Sequence, residues 1–264
     1  MQNSSNELVR MEHVDKMFNA GTINETGVFR DFNFTIDKGD FISVVGSNGS
    51  GKTTMLNLLC GSIPLDGGKI FLNGKDITRM PEYRRCASIG RVFQDPTKGT
   101  CPNLTILENM SLADNKGRHY GLGRGVNRRR LDFYKSQLEL LHLGLEDKTD
   151  VEVGALSGGQ RQALALLIAT MTPIELLVLD EHTAALDPNS SETVMELTER
   201  VVREKNLTAI MVTHNLRFAV NYGNRLVMMH GGSAVIDAGG KEKDAYAIDD
   251  LLKVFNEISI ECGN

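Results

Sequence analysis

The stretch FISVVGSNGSGKTTMLNLL, residues 41–59, decides the fold that we expect for this chain. Residues 41–45 form a short, mostly apolar and β-branched run, which predicts a buried strand. Residues 53–59 predict a helix with apolar side chains on one side. The segment between them has the form G-x-x-x-x-G-K-[ST], which binds phosphate when it joins a strand to a helix. The stretch therefore predicts an α/β fold with a phosphate site at the end of a strand.

The glycine-rich segment supplies the groups that a phosphate needs. Its glycines let the backbone turn sharply and point N–H groups at phosphate oxygens, and the helix that follows adds the positive end of its dipole. We expect Lys52 to reach the terminal phosphates and the Thr53 hydroxyl to ligate Mg²⁺. An ordinary glycine turn before a helix would leave this Lys-Thr pair unexplained. The expected binding residues are Gly46, Ser47, Asn48, Gly49, Ser50, Gly51, Lys52, Thr53 and Thr54.

A second glycine motif, Leu-Ser-Gly-Gly-Gln, occupies residues 156–160. A flexible linker would also be rich in Ser and Gly, but residues 160–169 follow it with a strong helical pattern. The motif therefore lies at a helix N-terminus, where Ser157 and the backbone N–H groups after it form a second anion site. The expected contacts are Ser157, Gly158, Gly159 and Gln160.

A pair of acidic residues follows the apolar run at residues 176–179. The run predicts a buried parallel strand, and ligands of open α/β sheets bind at the carboxyl ends of such strands. We expect Asp180 to hold Mg²⁺ through water and Glu181 to act as the general base that polarises the attacking water. The alternative is a strand with an acidic turn, which the two preceding motifs make a poorer explanation.

With these three motifs in order, the chain resembles the ATPase subunit of ATP-binding-cassette (ABC) transporters over nearly its whole length. The resemblance implies an α/β P-loop NTPase (RecA-like) core with an antiparallel β subdomain and an inserted α-helical subdomain. It divides the single ABC ATPase domain, 1–264, into a nucleotide-binding core with the β subdomain (1–94 and 160–264) and a helical, signature-bearing subdomain (95–159).

The resemblance assigns roles to four further residues, with ATP and Mg²⁺ as ligands. Gln94 corresponds to the glutamine that contacts Mg²⁺ and water and reports nucleotide state to the membrane subunit. Asp187 corresponds to a loop that crosses the dimer interface, and His214 to the histidine that contacts the γ-phosphate. Phe18 matches the aromatic residue that stacks on adenine, where Tyr is usual; a core position at a strand end is the alternative. Phe29, Phe32 and Phe34 fit core positions better.

Phosphoryl transfer to water requires positioning and charge neutralisation, and the family meets this requirement with a dimer. Two copies placed head to tail would bury two ATP molecules, each between Lys52 of one copy and Ser157 of the other. Hydrolysis would then separate the copies, which is a phosphate-controlled switch. The implied partners are a second copy, integral-membrane permease subunits and, indirectly, an extracytoplasmic substrate-binding protein.

The leading functional hypothesis is import of a small solute. The segment FQDP at 93–96 and DEHTAALDP at 180–188 resemble a branch whose permeases are like those for branched-chain amino acids, with amino acids as the proposed cargo. His182 departs from the Pro or Ala that commonly follows the glutamate. It either titrates near neutral pH beside the γ-phosphate or packs within its loop. Export or lipoprotein extraction is the alternative function, and a soluble ABC ATPase for DNA repair or translation is a third.

Composition limits the location and the partners. The net charge of −5 over 264 residues gives no sign of nucleic-acid binding, and Arg128–Arg130 is too short to indicate more than a solvated loop or a helix start. We find neither an apolar run of roughly 18 residues nor, in Met1–Glu7, a signal peptide. The four cysteines lack C-x-x-C spacing, which is typical of reduced thiols. We therefore expect a soluble cytoplasmic protein that its permease holds at the cytoplasmic face of the membrane.

Periodicity predicts the remaining organisation. Alternating residues from 8 to 36, with a turn at 19–26, and the run 69–72 predict a small antiparallel sheet. Helical patterns replace strands between Gln94 and Leu156, opening with a capping box at Thr105 and Glu108. The last part predicts a helix at 188–203, a strand at 208–212, a hairpin across Gly231-Gly232 and an amphipathic helix at 248–258, and a loop is expected at 121–125.

Overall fold

The computed structural model describes residues 6–116 and 125–261. Most of the loop expected at 121–125, residues 1–5 and Cys262 lie outside the described residues. Within these ranges the strands are β1 (Glu7–Phe18), β2 (Thr26–Asp37), β3 (Phe41–Gly46), β4 (Gly67–Leu72), β5 (Lys75–Asp76), β6 (Ile89–Val92), β7 (Leu176–Asp180), β8 (Thr208–Val212), β9 (Arg225–His230) and β10 (Ser233–Gly239). The helices are α1 (Lys52–Cys60), α2 (Glu82–Arg85), α3 (Ile106–Asp114), α4 (Leu131–Glu139), α5 (Gly158–Thr170), α6 (Pro188–Glu204), α7 (Leu216–Asn221), α8 (Lys241–Asp244) and α9 (Ile248–Glu261).

The first of two compact units comprises Met1–Cys86 and Asn206–Asn264. It contains the antiparallel sheet that the sequence predicts, with strand order β2-β1-β4-β5. The alternating pattern of β2 buries Phe32, Phe34 and Ile36 on one face.

The same unit holds the strand that ends at the phosphate loop. Strand β3 pairs in parallel with both β8 and β9, and β9 forms the predicted antiparallel hairpin with β10. Every residue of β3 is buried, as expected for a strand that is paired on both sides and covered on both faces. Helix α1 leaves the end of β3 and buries Met55, Leu56 and Leu59.

The second unit, Ala87–Lys205, contains the predicted helical region. Helices α3 and α4 bury Ile106, Met110, Tyr134 and Leu138 completely. Thr105 and Glu108 form the predicted capping box of α3. The run Arg128–Arg130 is a 3₁₀ turn that leads into α4, so the helix-start alternative is confirmed. Strand β6 pairs in parallel with β7, and α5 and α6 contact each other.

Five of the strands and helices given above escape sequence analysis: β5, α2, β6, α7 and α8. Each has two to six residues, which is too short for a helical or strand period to emerge. Among the described residues, the structure has no helix that is both long and apolar enough to cross a membrane.

Candidate active site

The phosphate loop is built so that glycine is required at two of its turns. Gly46 has a φ of 151°, and a Cβ there would lie 2.2 Å from the carbonyl oxygen of Met229. Gly51 has a φ of 102°, and its Cβ would lie 2.8 Å from the ring of Phe29. Any larger residue would therefore push the loop away from its neighbours. The loop is a backbone-lined cradle whose donor groups suit phosphate oxygens.

The side chain of Lys52 lies inside this loop. Its side chain is 5% exposed, and its Nζ donates hydrogen bonds to the carbonyl oxygens of Gly46 and Ser47, both at 2.8 Å. The ammonium therefore lies at the centre of the loop. Thr53 is exposed in the first turn of α1, and Thr54 is partly buried beside it. Lys52 and the exposed Thr53 hydroxyl suit a Mg²⁺-bound phosphate.

Helix α1 is fixed at its other end by Arg85, which sequence analysis does not identify. This arginine is 3% exposed and donates from Nη1 to the carbonyl oxygens of Leu58 and Leu59, at 2.8 and 2.9 Å. Burial lowers the pKa of its guanidinium. A cation at a helix C-terminus is favoured by the helix dipole, so Arg85 stabilises the helix that presents Lys52.

His214 lies at the same sheet edge as the phosphate loop. Strands β3 and β8 run in parallel with Val44 opposite Val212, and His214 follows β8 by two residues. The side chain of Asn215 caps α7 by accepting from the backbone N–H of Arg217 at 3.0 Å. His214 is exposed. It lies directly before the capping residue of α7, next to the phosphate loop.

Phe18 is the last residue of β1 and is 37% exposed. The Nζ of Lys16 lies 5.3 Å from the centre of its ring, and the same Nζ bonds Asp66 at 3.0 Å. The core positions belong to Phe29, Phe32 and Phe34, which are all buried. Phe18 is therefore an accessible aromatic surface and not a core residue.

In the second unit, Gln94 and Asp180 come to one edge of the β6-β7 pair. Val92 lies opposite Leu179. Gln94 follows the end of β6 by two residues, and Asp180 is the last residue of β7, so both lie at the carboxyl ends of these strands. Gln162, which is 1% exposed, donates to the carbonyl oxygen of Phe93 at 2.9 Å and so supports the backbone next to Gln94.

Asp180 has a cationic neighbour that the sequence analysis leaves without a role. The Nη2 of Arg91 lies 2.7 Å from the Asp180 Oδ2, and the two side chains are 12% and 14% exposed. Arg91 reaches Asp180 because it sits on β6, paired directly with the strand that carries the carboxylate. The hard oxygen donor of Asp180 suits Mg²⁺, with Arg91 as a positive neighbour.

Glu181 lies in the left-handed backbone region, with a φ of 49°. Its carbonyl oxygen accepts from the backbone N–H of Ala184 at 2.9 Å, which closes a turn. His182 is 2% exposed, and its Nε2 lies 3.1 Å from the Thr198 Oγ1. Burial lowers the pKa of His182 to about 4, so the ring is neutral at neutral pH. The loop-packing alternative for His182 is therefore correct, and titration near neutral pH is wrong.

The Leu-Ser-Gly-Gly-Gln motif forms a capped helix N-terminus, as predicted. The Ser157 Oγ accepts from the Gln160 N–H at 3.2 Å, and the Gln160 Oε1 accepts from the Ser157 N–H at 3.2 Å. This capping box orients the first turn of α5. Ser157 is exposed, and Gly158 and Gly159 are partly buried.

The first turns of α5 and α6 pack against each other. A Cβ at Gly159 would lie 3.1 Å from the Cβ of Ser190. Asp187 caps α6 by accepting from the backbone N–H of Ser190 at 3.1 Å, and hydrogen bonds from Ser190 lower its pKa. The second unit thus brings Asp187 close to the Ser157–Gln160 turn.

The chain is similar in sequence to ATP-binding proteins of ABC transporters. The family model described as "ABC transporter" matches residues 29–184, more than half of the 264-residue chain. The "Tyrosine transport ATP-binding protein" of Clostridioides difficile (strain R20291) is 42% identical over 248 residues, which cover 94% of this chain and 98% of that protein. A "Phosphonates import ATP-binding protein" of Lactococcus lactis subsp. cremoris (strain SK11) is 27% identical over 257 residues, covering 93% and 99%.

A solved structure shows the same fold. It is the dimeric structure of a post-hydrolysis state of an ATP-binding cassette, bound to ADP and Pi. It matches this chain with a TM-score of 0.74 and 27% identity, covering 88% of this chain and 98% of the other. The expected ABC ATPase fold, with its mixed α/β architecture, is therefore confirmed. The chain belongs to the ABC transporter family, as one of its ATP-binding cassettes.

Proposed function

We propose that this protein hydrolyses ATP to power the import of a small solute, an amino acid, through a separate membrane permease. The support comes from its similarity to relatives named for tyrosine transport and phosphonate import and from the residues that the two units present. The permease and an extracytoplasmic binding protein would select the cargo. The cassette would be held at the cytoplasmic face of the membrane by that permease.

The observation that carries this proposal is the capping box of α5. Ser157 and Gln160 satisfy each other there, which leaves a preformed helix N-terminus as an anion site in addition to the phosphate loop before α1. A bound triphosphate needs donor groups on two sides. The phosphate loop supplies one side, and we infer that the α5 N-terminus of a second copy supplies the other. Two chains arranged head to tail would then enclose two ATP molecules, with Asp187 beside each Ser157–Gln160 turn.

Each residue would contribute a distinct part of the reaction. Lys52 would neutralise charge on the β- and γ-phosphates, and the backbone of Gly46–Gly51 would orient them. Glu181 would accept a proton from the attacking water, while His214 and Gln94 would hold the γ-phosphate and that water in line. Phe18 would stack on the base. Thr53, Gln94 and Asp180 would hold Mg²⁺, which would supply additional charge neutralisation.

The decisive test is the Glu181→Gln variant with Mg-ATP. The amide keeps the shape of the carboxylate but cannot accept a proton, so we expect ATP binding without turnover and a stable dimer. Size-exclusion chromatography with light scattering measures the dimer, and phosphate release measures turnover. Glu196→Gln, an exposed change in the middle of α6, is the control and should behave like the wild type. A Glu181→Gln protein that remains monomeric and hydrolyses ATP normally would refute the proposal.

Transport is tested in the source cells. A strain without this gene should lose uptake of a radiolabelled amino acid, with tyrosine as the first candidate. The wild-type gene should restore uptake and the Glu181→Gln gene should not. Uptake that is unchanged across all amino acids in the deletion strain would contradict the amino-acid assignment.

A further inference from the structure

The turn after Glu181 stores backbone strain. A non-glycine residue at a φ of 49° is in a disfavoured conformation, which persists only when its surroundings hold it. On one side Glu181 continues from β7, which is a regular paired strand. On the other side the chain enters the segment 182–187, so the contacts of this segment decide whether the strained conformation is kept.

One side-chain contact in that segment joins His182 to Thr198 on α6. Thr198 is fully buried, and its Oγ1 donates to the carbonyl oxygen of Val194 at 2.7 Å. A hydroxyl has one proton, which this bond uses, so Oγ1 acts as the acceptor toward His182. The Nε2 of His182, 3.1 Å away, must therefore carry a proton and donate it. The geometry thus selects one tautomer of the imidazole.

A second contact holds the same segment to the same helix. The Ser191 Oγ donates to the carbonyl oxygen of Thr183 at 3.1 Å. Ser191 and Thr198 lie seven positions apart and face the same side of α6. The Ser191 Oγ also lies 3.4 Å from the carbonyl oxygen of Leu186. Ser191 thus fixes two backbone carbonyls of the segment to α6, and His182 adds a bond between side chains.

We propose that His182 is a positioning residue that keeps Glu181 in its left-handed conformation through a hydrogen bond from its Nε2–H to Thr198. The role attributed to Glu181 rests on the proposed function, whereas the tautomer and the bond do not. His182 does not contact the reacting atoms. His182 directly follows Glu181 in the chain. Its hydrogen bond holds the backbone at this point, so that Glu181 does not sample other backbone conformations.

The first test is independent of ATP. Two-bond ¹⁵N–¹H correlation NMR of the imidazole nitrogens in the nucleotide-free protein distinguishes the two neutral tautomers. We expect His182 to be neutral with its proton on Nε2 in the wild type. A proton on Nδ1, or rapid exchange between both tautomers, would overturn the inference whether or not the protein hydrolyses ATP.

The second test separates kcat from KM. We expect His182→Leu, which removes the donor, to reduce the kcat of ATP hydrolysis by about tenfold or more, because small displacements of a catalytic group are costly. The KM for ATP should change less than about twofold, because the phosphate loop is untouched. His182→Gln places an amide N–H near the position of Nε2 and should recover most of kcat. Equal kcat in all three proteins would overturn the inference.

The acceptor provides a variant that preserves His182. Thr198→Val has nearly the same shape but lacks the hydroxyl, and it should lower kcat as His182→Leu does. Thr193→Val is the matched control, since Thr193 also donates to the carbonyl oxygen four residues earlier, at 3.0 Å, but is exposed and has no histidine partner. Should His182→Leu fail to fold, Thr198→Val decides: a kcat equal to that of Thr193→Val would overturn the inference.

Hydrogen exchange distinguishes this inference from the proposed function. Backbone amides of residues 182–186 should exchange faster in Thr198→Val than in Thr193→Val. If exchange is faster in Thr198→Val but the wild type shows no ATPase activity, the positioning bond stands and the hydrolytic function is refuted. Normal activity in the wild type, with exchange and kcat both unchanged in Thr198→Val, would refute the positioning role.

Discussion

The guanidinium of Arg91 lies 2.7 Å from the carboxylate of Asp180, and both side chains are largely shielded from water. The pair joins adjacent strands at residues that are 89 positions apart in the chain. It places a fixed positive charge on a carboxylate that we assign to Mg²⁺. It also joins β6 to β7 through side chains, in addition to their backbone hydrogen bonds.

Replacing Arg91 with Met should lower the free energy of unfolding by about 2 kcal/mol, because it leaves a shielded carboxylate without this partner. Arg91→Lys should lose less, since it keeps the charge but not the planar geometry. Urea denaturation at neutral pH measures both. Arg84→Met removes an exposed arginine and serves as the control. Equal stability of Arg91→Met and Arg84→Met would contradict this account of the pair.

The two capping boxes make it possible to separate an effect on stability from an effect on the proposed contact between Ser157 and the ATP of a second copy. Ser157→Ala and Thr105→Ala each remove a cap that accepts from the third residue of its helix, so each should cost about 0.5–2 kcal/mol of stability. Only Ser157→Ala should also reduce ATP turnover, and Ser157→Arg should abolish it while the monomer still binds nucleotide. Thermal melts and phosphate release give both quantities. A Thr105→Ala protein with the same loss of turnover as Ser157→Ala would show that the effect is general destabilisation.

Lys243, on the short helix α8, places a buried cation at the C-terminal end of α7. Its Nζ donates to the carbonyl oxygens of Val220, Tyr222 and Gly223 at 2.8, 3.0 and 2.7 Å, and the residue is 3% exposed. Lys243→Met should lower the free energy of unfolding by about 1–3 kcal/mol, because these acceptors lose their donor. Lys241→Met, an exposed change on the same short helix, should have almost no effect. Guanidinium denaturation of the two variants makes the comparison.

Burial of His182 gives stability a pH dependence with a defined sign. The pKa is lowered from 6.5 to about 4 in the folded chain, so between these values the unfolded chain binds the proton more tightly. The free energy of unfolding should therefore fall by on the order of 3 kcal/mol as the pH drops from about 6.5 to 4. Above pH 6.5 the neutral His182 ring contributes its full stabilisation.

The contribution of His182 is isolated by comparison with His182→Gln. The difference in free energy of unfolding between the wild type and this variant, measured at pH 7 and at pH 4.5, should shrink or reverse at the lower pH. All other titrating groups are common to both proteins. A difference that stays constant across this range would show that His182 does not remain neutral in the folded chain.

The elements that sequence analysis predicts well are those with a strong local pattern. The β-branched run at Phe41 becomes β3, the capped helix after Ser157 becomes α5, and the glycine pair at Gly231 turns the β9-β10 hairpin. Each depends on residues close together in the chain. Five short elements were missed, because two to six residues within a larger fold take their conformation from their neighbours.

The sequence also identifies His182 as unusual but leaves its role open. Its burial, and the acceptor on Thr198, depend on where α6 lies relative to the turn. The same limit applies to Arg85, which appears in the sequence as one arginine of an Arg-Arg pair and proves to cap α1. No local pattern distinguishes a buried arginine from an exposed one when both are next to each other.

The sequence by itself determined the family of this protein through three motifs: the glycine loop with Lys52, the acidic end of the strand at Asp180, and the helix start at Ser157. These motifs are contiguous, so their backbone conformation follows from glycine, proline and capping preferences within a few residues. Only the tertiary structure decided that Arg91 meets Asp180, that Arg85 closes α1, and that His182 donates to Thr198. Such pairs depend on how strands and helices pack, and packing joins residues whose separation along the chain carries no signal.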